Sequence, residues 1–379
     1  MELFFEQRSV PTNSCILMST PEEAKSYPKG DIELCFCQEC GFISNMAFDE
    51  KLTEYSGRYE ETQGYSGTFN KFHKNLADRL INKYDLHSKD VIEIGCGKGE
   101  FITMLSELGD NRGVGFDPGY REDRNVSEAA KNVKFITDFY SEKYTDYKAD
   151  FVCCKMTLEH IHPTHHFLGT VRRSIGDRAD TIVFFQIPEA TRILKEVAFE
   201  DIYYEHCSYF TPGSLARLFR RSGFKVLSLE TEYGDQYLTI EALTGDGNEQ
   251  APLPEENDLA AVKEYVATFP KRFAEKQDQW LERLAEYKSQ GKNVVLWGSG
   301  SKGVSFLTML DRNNSVEYVV DINPHRQGYY MSGTGQKIVA PDFLAEYRPD
   351  VVIVMNEIYC DEIGRDLKKM GLSPEMVAL

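Results

Sequence analysis

The sequence predicts an α/β protein containing two parallel-sheet units, and three observations predict it. Residues 68–245 alternate helical and strand-like patterns, and a smaller segment of the same texture begins at Asn293. Each unit opens with an apolar run that passes straight into closely spaced glycines and then into a helical pattern. In each, an acidic residue stands eighteen positions beyond the last of those glycines, at the end of a further short apolar run. Alternating strands and helices imply a doubly wound sheet, and glycines at the first strand-to-helix turn let the backbone approach a ligand closely.

Taken in order, residues 1–67 are irregular, with scattered cysteines and aromatics, and form a small N-terminal domain. Residues 68–245 hold the candidate strands Val91–Ile94, Arg112–Phe116, Val133–Thr137, Ala149–Cys154, Thr181–Ile187 and Phe224–Glu230. The stretch from Gly245 to Pro254 reads as a linker because Gly, Asp, Asn and Pro crowd into it. Residues 257–290 carry Leu259, Val262, Tyr265, Val266, Phe269, Phe273 and Trp280 near a 3.6-residue period, which predicts one long amphipathic helix. Linker and helix together span 246–290, and residues 291–379 form the second, smaller α/β domain.

Bulk properties narrow the function. A formal net charge of −17 argues against a nucleic-acid partner, which would need clustered Lys and Arg. No apolar run approaches the ~18 residues needed to span a bilayer, so no membrane partner and a cytoplasmic location are expected. Nine cysteines in 379 residues are no disulfide framework. Cys96, Cys153, Cys154, Cys207 and Cys360 sit in apolar or motif segments, where buried free thiols are expected.

Three segments can carry chemistry. In the first, Val91-Ile-Glu93-Ile-Gly95-Cys-Gly97-Lys-Gly99 leads to Gly115-Phe-Asp117-Pro118. Gly95, Gly97 and Gly99 form the ligand loop, Asp117 is placed for a ribose diol, and no Gly-Lys-Ser/Thr triplet is present for a triphosphate. The second follows the fourth strand: Leu158-Glu-His160-Ile-His162-Pro-Thr-His165-His166. It stands at the C-terminal edge of the sheet, where His160 can enter a site, whereas His165 and His166 read as solvated helix positions. The third is Asp201-Ile-Tyr203-Tyr-Glu205-His206-Cys-Ser-Tyr-Phe, just before a helix start at Thr211-Pro212. An imidazole oriented by a carboxylate is the common general base near neutral pH, so His206 with Glu205 is the candidate base.

The later glycine run, Gly298-Ser-Gly300-Ser-Lys-Gly303 with Asp321, is a full Gly-x-Gly-x-x-Gly after a strand. It favours a nucleotide or sugar-nucleotide cradle. It also leaves a nicotinamide-dependent oxidoreductase as the alternative from another class.

The spelling of residues 93–99 resembles the first motif of class I S-adenosylmethionine (SAM) methyltransferases, whose central domain is Rossmann-like. That resemblance implies SAM as cofactor, with Glu93, Gly95, Gly97, Gly99, Asp117, Pro118 and Asp138 around it. With Tyr203-Tyr-Glu-His206 and the Trp297-Gly-Ser-Gly-Ser-Lys-Gly303 unit, nearly the whole chain resembles the sugar C-methyltransferase family, as a divergent member. The resemblance implies a keto-deoxysugar nucleotide as acceptor. It places Tyr203, Glu205 and His206 in catalytic positions, with His160 as a further candidate, and it implies that a histidine generates an enolate that attacks the SAM methyl group. A C- or O-methyltransferase acting on another natural-product intermediate is the runner-up. The family also carries an N-terminal zinc module built on two Cys-x-x-Cys pairs. Here Cys37 and Cys40 match the second pair and the first is missing, which leaves Cys15 and Cys35 as the candidate completing ligands for a structural zinc.

Overall fold

The computed structural model describes residues 1–125, 127–311 and 315–379. The N-terminal segment is not irregular. It forms strands β1 (Glu2–Pro11), β2 (Lys29–Phe36) and β3 (Ile43–Asn45), paired antiparallel in that order. Ile32, Leu34 and Phe36 alternate along β2 and are all buried, so the period-2 signal is present in the sequence.

The central unit supplies β4 (Asp90–Ile94), β5 (Arg112–Phe116), β6 (Val133–Ile136), β7 (Phe151–Lys155) and β8 (Ile182–Pro188). Next come β9 (Ser208–Tyr209), β10 (Phe224–Glu232) and β11 (Tyr237–Thr244). The sheet order is β10-β11-β8-β7-β4-β5-β6, parallel from β8 to β6 and antiparallel at β11 and β10. Strand β11 was not foreseen. Its first six residues are all buried, so it shows no in-out alternation. Short β9 leaves this unit and pairs with β3, which brings residues 203–209 against the N-terminal sheet.

The C-terminal unit is a parallel sheet of β12 (Val294–Trp297), β13 (Val316–Val320), β14 (Lys337–Val339), β15 (Val351–Val354) and β16 (Glu375–Ala378), in the order β14-β13-β12-β15-β16. The helix foreseen over 257–290 runs Leu259–Ser289 and buries Val262, Val266, Phe269, Phe273 and Trp280. It is the spine between two sheets. Phe5 of β1 meets Phe269 and Phe273 edge-on at 5.5 and 5.0 Å, and Trp280 meets Phe306 of the C-terminal unit at 5.2 Å. One continuous apolar core therefore joins the N-terminal sheet, the long helix and the C-terminal sheet.

The segment read as a linker is pinned rather than free. Arg220 donates to the carbonyls of Gly247 and Gln250 and pairs with Glu256 at 2.6 Å. Among the described residues, no helix is long and apolar enough to cross a membrane.

Candidate active site

The first glycine loop follows β4. Gly95, Gly97 and Gly99 all have positive φ, at 71°, 54° and 81°, a region side chains rarely adopt. A Cβ on Gly95 would also overlap the side chain of Thr157. Gly95→Ala should therefore weaken binding of S-adenosylhomocysteine (SAH) by more than about tenfold, measured by titration calorimetry.

Asp117 at the end of β5 accepts from the amides of Gly97 (2.9 Å) and Gly119 (2.7 Å). Burial raises its pKa, and those two amides oppose the rise. Glu93 accepts from the Ile102 amide at 3.0 Å, and burial pushes it up to about 7 against the pull of Lys155. Asp138 accepts from the Phe139 amide (2.8 Å) and the Tyr144 hydroxyl (2.7 Å) and pairs with Lys143. These residues and Pro118 line one cavity of about 650 Å³, ample for a nucleoside-sized ligand together with a second molecule.

The same cavity receives the second glycine loop. Gly298, Gly300, Ser301, Lys302, Gly303 and Asp321 line it, as do Tyr203, His206, Glu159 and His160. Both glycine loops therefore open towards one space. Lys302, in the first turn of the helix Ser301–Leu310, pairs with Asp201 at 2.5 Å, which ties the C-terminal unit to the segment holding Tyr203 and His206. Asp321 is occupied by its own loop, accepting from the Ser299 amide (3.0 Å), the Ser299 hydroxyl and the Asn323 amide (2.8 Å).

His206 is 2 % exposed and packed among rings. Tyr203 lies 4.0 Å from it between centroids, His160 meets it edge-on at 4.7 Å, and Tyr55 donates to or accepts from His160 Nδ1 at 2.9 Å. Its carboxylate neighbour is not Glu205. The nearest carboxylate oxygen is Oε1 of Glu159, 4.0 Å from His206 Nε2. Glu205 instead accepts from Asn13 Nδ2 (3.1 Å), the Ser14 amide (2.9 Å) and the Ser14 hydroxyl, so it pins the loop after β1 to the His206 segment. Residues adjacent in sequence here face opposite ways.

Burial raises Glu159 to about 8, so it stays protonated at neutral pH. Burial lowers His206 well below 6.5, with His160 and Lys302 adding to the effect, and lowers His160 to about 4. Among the described residues, both carboxyl oxygens of Glu159 and Nδ1 of His206 are buried and find no hydrogen-bond partner. Unsatisfied buried polar groups are rare in native folds and call for an explanation, of which a catalytic role or a bound ion is one.

The four thiolates proposed for zinc are not brought together. Cys15 lines the cavity beside Ser301, Cys35 is buried in β2, and Cys37 and Cys40 share a turn after it. Among the described residues, the one group of three or more potential ligands close enough to share an ion is Glu159, His160 and His206, within 4.8 Å. Cys96, Cys153, Cys154 and Cys207 are buried free thiols as expected, while Cys360 is half-buried. His165 and His166 are exposed on the helix Thr164–Ile175, also as expected.

Sequence reasoning missed Glu159 although it precedes His160 in the quoted motif. An acid at a strand end beside a candidate histidine was the available signal. Tyr55 and Tyr59 were also missed, since their chemistry depends on a fold that joins residues 55–61 to the glycine loop.

Residues 69–229 match the family model "Methyltransferase domain", and residues 250–373 match "C-methyltransferase C-terminal domain". The chain is 24 % identical over 363 residues to C-methyltransferase NovU of Streptomyces niveus, covering 92 % of this chain and 85 % of that protein. Among solved structures, 1,6-didemethyltoxoflavin-N1-methyltransferase of Burkholderia thailandensis is 17 % identical over 48 % of this chain and 83 % of its own, with a TM-score of 0.37. The PH0226 protein of Pyrococcus horikoshii OT3 is 18 % identical over 48 % of this chain and 94 % of its own, with a TM-score of 0.39.

Proposed function

Since the chain belongs to the SAM-dependent C-methyltransferases, as a divergent member, we propose that it methylates a carbon next to the ketone of a nucleotide-linked deoxysugar. One observation carries this reading. A buried imidazole and a buried carboxyl group, whose Nδ1 and oxygens find no hydrogen-bond partner among the described residues, line the cavity that both glycine loops enter.

A proton next to a ketone is weakly acidic, so its removal needs a positioned base in the unprotonated form. His206 meets that need because burial keeps it neutral. The C–H pair of electrons becomes the enolate, and the proton passes to His206. SAM, which Gly95, Gly97 and Asp117 would hold, would supply the electrophilic methyl group and leave as S-adenosylhomocysteine. Tyr203, against the His206 ring, is the group proposed to hydrogen-bond the developing enolate oxygen.

The acceptor's phosphates suit the second loop. A helix N-terminus without a side-chain cap, at Gly300, together with the Lys302 ammonium, offers amide and cationic donors to a diphosphate. The division of labour we infer follows the segments: 1–67 as a wall of the site, 68–245 for SAM, 246–290 as connector and spine, and 291–379 for the nucleotide. The nicotinamide alternative gives way to the family membership, since the second loop shares its cavity with the first. Incubation with SAM and a panel of keto nucleotide sugars, followed by mass spectrometry, tests the acceptor. A methylated nucleotide sugar supports the reading, and methylation confined to other ketones or hydroxyls refutes it.

The pH dependence follows from the buried pair. His206 acts when neutral, and a lowered pKa moves its protonation to more acidic pH. The acid limb of kcat/KM should therefore lie below pH 6.5, the ordinary histidine value. Glu159 is neutral below about 8, so Glu159→Gln should leave turnover at pH 7 within about an order of magnitude. Turnover that survives EDTA treatment would further assign Glu159, His160 and His206 to proton chemistry. Loss on EDTA with recovery on adding a divalent cation would assign them to a metal.

A further inference from the structure

We propose that Lys155, supported by His73, is the seat of the α-carboxylate at the methionyl end of SAM. Lys155 is the last residue of β7, the strand that pairs with β4 on the side away from β5. The sheet order sets a direction. With Asp117 at the end of β5 as the proposed ribose partner and the glycine loop after β4, a methionyl arm that continued across β4 would reach the end of β7. Along β7, Phe151, Cys153 and Lys155 share one face, and the first two pack with residues of the helices Gly67–Tyr84 and Glu100–Gly109. Lys155 therefore rises between those helices to the cavity wall beside Gly95.

Its surroundings are unusual for a structural lysine. The residue is 8 % exposed, and its Nζ stands 4.0 Å from the centroid of the Phe101 ring. Nζ is 3.0 Å from His73 Nε2. Burial holds His73 down to about 2, with Lys155 adding to the effect, so the imidazole is neutral and its Nε2 accepts from the ammonium. Among the described residues Lys155 makes no ion pair, whereas the buried Lys98 has Glu61 at 3.1 Å and two carbonyls. An ammonium has three donors, and although burial lowers the pKa of Lys155, Glu93, Glu100 and Glu232 oppose that from beyond ion-pair distance. Lys155 lines the cavity, and its remaining donors would meet the one carboxylate of a SAM bound there.

Two adenosyl ligands separate this role from a structural one: SAH, and its decarboxylated analogue 5′-S-(3-aminopropyl)-5′-thioadenosine. Calorimetric titration of the wild-type chain should show SAH binding roughly 100-fold more tightly than the analogue, the effect expected of a buried charge-assisted contact. Lys155→Met should lower SAH affinity roughly 100-fold and leave the analogue's affinity within about threefold, so the preference collapses. Lys155→Arg, which keeps the charge, should retain most of the preference. Equal weakening of both ligands in Lys155→Met, or an unchanged preference, would overturn the assignment. The inference rests on the cofactor reading, and SAH binding by the wild-type chain tests that reading separately.

Discussion

His206→Ala should lower turnover by at least about two orders of magnitude while leaving SAH affinity unchanged, because a positioned general base contributes ~10²–10⁴-fold. The separation of the two effects is the point. The groups beside His206 are Tyr203, His160, Tyr209 and Glu159, none of which belongs to the loop at Gly95–Gly99 or is Asp117. Truncation removes the free Nδ1 and leaves the cofactor's wall intact. Initial rates with SAM and a keto nucleotide sugar give the first quantity and calorimetry gives the second. A variant that keeps near-normal turnover would shift the base to His160, which is half-buried, neutral and on the cavity wall.

Glu205→Ala should destabilise the chain by about 3–5 kcal/mol, the range expected when a buried hydrogen-bonded carboxyl is removed and its donors are orphaned. Glu205 is 1 % exposed, and the Asn13 amide group, the Ser14 amide and the Ser14 hydroxyl all point at it. Asn13 in turn donates to the carbonyl of Glu54 and accepts from its amide, so the loss spreads to the segment bearing Tyr55 and Tyr59. Chemical denaturation measures the effect. Stability close to wild type, combined with a turnover loss as large as that of His206→Ala, would restore Glu205 to the role of the base's orienting group.

Those two residues show where sequence reading succeeds and where it stops. The loop at Gly95–Gly99 is legible because three positive-φ positions impose glycine locally, and Asp117 because the strand–helix–strand spacing is nearly constant. The helix Leu259–Ser289 is legible by period, and the start at Pro212 because Thr211 caps it by accepting from the Ser214 amide. The partner of His206 is not legible, because Glu159 reaches it from the far end of β7 while the adjacent Glu205 turns towards β1. The N-terminal sheet was within reach. Ile32, Leu34 and Phe36 alternate plainly, whereas the zinc module was implied only by the family resemblance. Strand β11 was beyond reach, since burial on both faces leaves no period to detect.

The central claim is that His206 makes an enolate, and solvent hydrogen exchange tests it most directly. The enzyme is placed in D₂O with SAH and a keto nucleotide sugar, so that proton removal proceeds without methyl transfer, and the acceptor is read by mass spectrometry and NMR. Deuterium is expected at the carbon next to the ketone with the wild-type chain and none with His206→Ala. An acceptor that the wild type methylates with SAM, yet whose carbon never exchanges, would contradict it and point to methylation at oxygen.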